Sequence, residues 1–187
     1  MSNSAYSMEA QVKVEDLPMT FKVKYIGSEV GRGLWGIKYT RRPVDSLVEA
    51  AKNLPPNKVL PFCELTVTLD GVNIEIVMPK TDTRSWSYPI DTISYGVQDL
   101  VYTRVFAMIV VKDDNRNPFE VHAFACDNRA TTRKLTFALA AAFQDYSRRV
   151  KEDAERNNTI APIQKKFAID LRDPEEMQGE EEEETEA

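Results

Sequence analysis

Phe21, Val23 and Tyr25 alternate with Lys22 and Lys24, a period of two that turns one side of an extended segment inward and the other outward. A glycine-rich loop, Gly27 to Gly36, follows, and then the period changes. From Arg42-Pro43 onward Val44, Leu47, Val48, Ala51 and Leu54 recur at helical spacing until Pro55-Pro56 stops them, which predicts a short amphipathic helix opened by its proline. Period two returns in Leu65, Val67 and Leu69 and again in Ile74, Ile76 and Met78. Asp70-Gly71 between them predicts a hairpin over 62–79. Trp86 to Val97 reads as one or two further strands. Val105 to Val111 is apolar on both faces, as a central strand must be, and Phe119 to Cys126 is another strand after a turn at Asp113 to Pro118.

The last periodic element is a long helix with Asp127 or Asn128 as its cap. Leu135, Leu139, Ala142, Phe143, Tyr146 and Val150 form its apolar stripe, and the alanines at 140–142 allow a close approach. Such a stripe has to cover something. The pattern therefore predicts an α+β fold: a seven-stranded antiparallel β-sandwich or barrel capped by a long C-terminal helix, with one short helix after the first strand. Residues 1–18 read as a flexible leader, 19–151 as the domain and 152–187 as a C-terminal extension in which 160–174 form at most a short added segment.

Charge changes this picture only at the end of the chain. The net charge of −6 comes from eight Glu between Glu175 and Ala187; without them 24 basic residues face 22 acidic ones, about +2. A near-neutral domain does not fit a dedicated nucleic-acid binder. Two cysteines, Cys63 and Cys126, make no disulfide framework, and no apolar run reaches the ~20 residues of a membrane span, so the expected location is the cytoplasm.

Catalytic chemistry finds little support. His122, the single histidine, lies four strand residues from Cys126, roughly 13 Å, too far to share a metal. Gly31-Arg-Gly33-Leu-Trp-Gly36 has G-x-G-x-x-G spacing, but a dinucleotide site needs the third glycine to open a helix, and here Ile37 to Arg42 intervene before the expected helix with no parallel βαβ pattern after it. Asn117-Pro118-Phe119, a motif that some helical endocytic domains bind, sits in a turn entering a strand. No enzyme, cofactor or metal site is expected.

Five blocks in order carry a resemblance: Phe21-Lys-Val-Lys-Tyr-Ile-Gly-Ser28, Ile90-Asp-Thr-Ile-Ser-Tyr95, Arg104-Val-Phe-Ala-Met-Ile109, His122-Ala-Phe-Ala-Cys126 and Leu139-Ala-Ala-Ala-Phe143. Together they resemble the phosphotyrosine-binding (PTB/PID) domain family, in the branch typified by Disabled, Numb and the LDL-receptor adaptor, with its pleckstrin-like (PH-like) fold. The resemblance implies a peptide-binding module. A ligand, often containing Asn-Pro-x-Tyr (NPxY), adds as a strand between the fifth strand and the C-terminal helix, where an open edge offers unpaired N–H and C=O groups.

Carried over, the resemblance assigns peptide contact to Ile93, Ser94, Tyr95, Gly96 and Val97 on the edge strand and to Leu139 and Phe143 on the helix. Leu139 and Phe143 fit a plain core stripe equally well. Arg104 is the candidate phosphate ligand, against a solvated strand-end arginine, and phosphotyrosine-independent binding is expected. Lys22 and Lys24 are candidates for phosphoinositide head groups, against a charged solvent face.

The expected function is a cytosolic adaptor that binds NPxY-like segments in the cytoplasmic tails of membrane receptors or in signalling proteins, with recruitment to the plasma membrane. The rival is a membrane-surface module reading phosphoinositides. A third reading is a structural subunit whose groove is filled permanently by a partner or by its own tail. The glutamate tail is a solubilising extension or a competitor for Arg104 or Lys22.

Overall fold

The computed structural model describes residues 12–113, 116–157, 168–171 and 174. The strands are β1 (Met19–Val30), β2 (Phe62–Thr68), β3 (Gly71–Met78), β4 (Ser85–Pro89), β5 (Ile93–Gln98), β6 (Val105–Val111), β7 (Phe119–Ala125) and β8 (Ala168–Asp170). The helices are α1 (Ile37–Lys52) and α2 (Arg129–Arg156), with 3-10 turns at Val14–Asp16 and Ile90–Thr92. No helix among the described residues is long and apolar enough to cross a membrane. The strands form one sheet in the order β4-β3-β2-β1-β7-β6-β5-β8. The first seven pair antiparallel with their neighbours, as the alternation predicts.

β1 serves both halves of the sandwich. Met19 to Lys24 pair with β2, and Lys24 to Val30 pair with β7, with a register shift between Tyr25 and Gly27. Gly27 takes φ +135°, a conformation that side chains rarely adopt, and Leu47 of α1 packs close above it.

Two cores result. The inner one lies between the sheet halves and under α2, and joins Phe21, Val23, Leu65, Ile74, Phe106, Met108, Phe124, Leu135 and Leu139. The outer one lies under α1 and joins Val44, Leu47 and Val48 to Val97, Ala107, Ile109, Val121 and Ala123. β6 alternates between the two: Phe106, Met108 and Val110 face in, while Val105, Ala107 and Ile109 face α1. That is why its sequence is apolar throughout.

Several expectations shift. α1 begins six residues before Pro43, so the proline lies inside the helix rather than at its start. Ile37 and Tyr39 pack on the outer core in that first turn, and this packing outweighs the backbone bond that Pro43 cannot make. The tight turn of the β2–β3 hairpin is Leu69-Asp70, and Gly71 already belongs to β3. A Cβ on Gly71 would stand 2.1 Å from the Tyr88 carbonyl oxygen, so the glycine is needed for the close approach of β4's backbone. Val12 and Leu17, within the expected leader, pack against the inner core. Residues 1–11 and the glutamate tail, 175–187, lie outside the described residues.

Asn128 is the cap of α2: its Oδ1 accepts from the Thr131 backbone N–H at 2.8 Å. Asn128→Ala is expected to lower stability by about 1 kcal/mol. Urea unfolding should show an earlier midpoint with an unchanged m-value.

Candidate functional site: the outer edge of β5 beside α2

All six residues of β5 are buried. One edge pairs antiparallel with β6, with a register shift between Ile93 and Tyr95. Ile93 faces the inner core, whereas Tyr95 and Val97 face the core under α1. Ser94 donates its hydroxyl to the Leu34 carbonyl, tying the glycine-rich loop to the strand. Beyond β5, the Asp99 carboxylate is fully buried. It accepts from the Val101 and Tyr102 N–H groups and pairs with Arg41 of α1. Burial raises the Asp99 pKa, against the pull of Arg41 and those amides.

The outer edge of β5 was expected to be open, and over Tyr95–Val97 it is not. β8 runs parallel to β5 with Tyr95 opposite Ala168, Gly96 opposite Ile169 and Val97 opposite Asp170. A strand edge buried on both faces needs its N–H and C=O groups paired, and here the chain pairs them itself. Gly96 marks the narrowest point. A Cβ there would lie 3.0 Å from Leu139 Cδ2, 3.2 Å from Ile169 Cδ1 and 3.4 Å from Phe106 Cζ. Ile169 packs on the inner core, and the Tyr95 hydroxyl donates to Asp170 Oδ2 at 2.9 Å. On the helix side, Arg133 Nη2 donates to the Leu171 carbonyl at 3.3 Å, and its guanidinium lies over the Phe137 ring at 5.1 Å.

The structure thus brings the backbone of Tyr95, Gly96 and Val97 together with Leu139 at the slot, while Ile93 and Ser94 precede the paired stretch on the same strand. Leu139 is fully buried and Phe143 is 6% exposed, so both are members of the inner core, and Leu139 Cδ2 reaches Gly96. Arg104 is exposed at the start of β6, past the end of β5, where Gln98 pairs with Phe106; its carbonyl accepts from the Cys126 N–H. Lys22 and Lys24 are exposed but lie on β1, separated from β5 by β7 and β6, and Lys22 faces Glu64 across the ladder. Ile169, Asp170 and Arg133 escaped the sequence reading. The sequence reading held a short added segment within 160–174, too brief for a period, and a groove filled by the chain's own tail as one alternative, without naming these residues.

The other motifs resolve into packing. Gly36 does cap α1, so the third glycine of the G-x-G-x-x-G spacing opens a helix after all. The next strand, β2, pairs antiparallel with β1, however, and Gly33 lies against the Tyr39 ring, which closes the loop. Phe119 packs against the core under α1. Cys63 and Cys126 are buried thiols, with burial pushing Cys126 up to about 11. His122 faces Tyr25, Tyr88 and Glu120. Its Nδ1 accepts from the Tyr25 hydroxyl at 2.9 Å and faces the Tyr88 hydroxyl at 3.3 Å, while Nε2–H donates to Glu120. Burial holds the imidazole below its ordinary value of 6.5, against the pull of Glu120, so the ring is neutral at pH 7.

Two outcomes follow. Phe143→Ala should cost about 3–5 kcal/mol of folding stability, as a core deletion does, measured by chemical denaturation. For His122 the folded pKa lies below the unfolded one, so the unfolded chain takes up the proton first. Its contribution is complete above pH 6.5 and is lost as the pH falls toward the folded pKa. Wild type should therefore be less stable at pH 5.5 than at pH 7.5, and His122→Gln should show a smaller loss across the same interval.

Comparison with known proteins agrees with this architecture. A search of curated proteins found no match. Among solved structures, the C-terminal phosphotyrosine interaction domain of mouse APBB2 superposes with a TM-score of 0.54 at 19% identity, covering 67% of this chain and 85% of that one, which shows a shared fold. The family model for the phosphotyrosine interaction domain (PTB/PID) matches residues 21–153. Members of this family are protein-binding modules rather than enzymes. The sandwich and its capping helix are thus accounted for together: the chain belongs to the phosphotyrosine interaction domain (PTB/PID) family.

Proposed function

We propose that this domain is a cytoplasmic adaptor that docks an extended, NPxY-like segment of a receptor tail or signalling protein as an added strand on β5 beside α2, without needing a phosphate on the tyrosine. One observation carries the reading. The slot between β5 and α2 already accepts a strand, with a ladder over Tyr95–Val97 and a close approach at Gly96. Backbone pairing of this kind supplies affinity to any extended peptide, and the flanking side chains choose among sequences.

Phosphate independence rests on the basic residues around the slot. A phosphate is best bound by bidentate guanidinium contacts. Arg104 stands in solvent past the end of β5, and Arg133 is engaged with the Leu171 carbonyl and the Phe137 ring. A phosphoinositide reading through Lys22 and Lys24 is weaker, because Glu64 opposite Lys22 offsets part of their charge.

Fluorescein-labelled Asn-Pro-x-Tyr peptides, each bare and phosphorylated, would be titrated against the full chain. A bare peptide is expected to bind, with its phosphorylated twin within about threefold. Gly96→Val should weaken it at least tenfold, or about 1.4 kcal/mol, in a protein whose far-UV circular dichroism is unchanged. Binding of phosphorylated peptides alone, or undiminished binding by folded Gly96→Val, would overturn the reading.

A further inference from the structure

The strand that fills the slot has the features of a ligand. Among the described residues it pairs with β5 through Ala168 to Asp170, and Ile169, Asp170 and Leu171 each make a different contact. Ile169 enters the space left by the missing side chain of Gly96, against Leu139 and Phe106. Asp170 turns to the opposite face and receives the Tyr95 hydroxyl. Leu171 offers its carbonyl to Arg133. Within the described residues 168–171 the contact is a three-residue ladder and one aliphatic side chain, which is small. Its gain is comparable with the entropy lost in ordering the segment, so attachment to the chain matters to its occupancy.

We infer that residues 168–171 are an intramolecular ligand of the β5/α2 slot, and that a partner's strand docks there by displacing them. The slot selects an aliphatic residue over Gly96 followed by an acidic residue at the Tyr95 hydroxyl. The displacement step rests on the reading of this slot as the docking site; the self-ligand step does not. A neutral analogue of the acidic residue keeps the ladder but loses the charge-assisted hydrogen bond to Tyr95.

The probe is a fluorescein-labelled synthetic peptide of this chain's residues 165–174, titrated against full-length wild type and full-length Ile169→Asp. In Ile169→Asp the internal segment no longer fits the aliphatic space, so the slot is vacated. The labelled peptide is expected to bind this variant at least tenfold more tightly than wild type, because affinity scales with the fraction of competent molecules. Adding Tyr95→Phe to the variant, or Asp170→Asn to the peptide, should each weaken binding severalfold. Hydrogen exchange at Tyr95–Val97 should be faster in unliganded Ile169→Asp than in wild type.

Equal binding to wild type and Ile169→Asp, or binding to neither, overturns the self-ligand. Unchanged exchange at Tyr95–Val97 does the same and does not depend on peptide affinity. Competition separates this inference from the functional reading. If the labelled peptide binds as expected but no Asn-Pro-x-Tyr peptide displaces it, the self-ligand stands and the docking function fails. If Asn-Pro-x-Tyr peptides bind both proteins equally and the labelled peptide binds neither, the function stands and the self-ligand fails.

Discussion

A buried strand edge cannot leave its backbone groups unpaired, and β5 has such an edge. The core under α1 covers one face of β5 and the inner core the other, while α2 lies alongside, so water has little access to the amides of Tyr95 to Val97. Unpaired N–H and C=O groups in that setting would cost about 1–3 kcal/mol each. Some strand has to occupy the position. In this chain that strand is β8, over Tyr95–Val97.

The elements with clean periods were legible in the sequence because each period reports one local choice of faces. β2, β3, β6 and β7 fall where the alternation or the continuous apolar run puts them. Two devices were misplaced because tertiary contacts decide them. Pro43 looks like a helix start in isolation, but Ile37 and Tyr39 have an apolar surface to cover, so the helix begins with them. Gly71 looks like a turn residue, yet its role depends on the β4 backbone that crosses it.

The site was legible in outline only. The resemblance pointed to β5 and α2 as neighbours, and Gly96 against Leu139 bears out their closeness. Periodicity could not divide the α2 stripe into residues facing the core and residues facing a ligand, because both recur at the same spacing. Leu139 and Phe143 both belong to the inner core. β8 was harder still. Three residues carry no measurable period, and their pairing with Tyr95–Val97 spans more than seventy positions of sequence. The Arg41–Asp99 pair and the contacts of His122 with Tyr25 and Tyr88 escaped notice for the same reason: each joins segments distant in the chain.

α2 is moored near both of its ends. Near its start, Gln98 Nε2 reaches the Arg129 carbonyl at 3.2 Å; near its finish, Arg149 Nη2 reaches the Leu69 carbonyl at 2.7 Å. A helix fastened at two points cannot easily swing aside, and the gap between it and β5 keeps the width of a single extended chain. The berth beside β5 therefore has fixed dimensions, and β8 takes up its width over Tyr95–Val97.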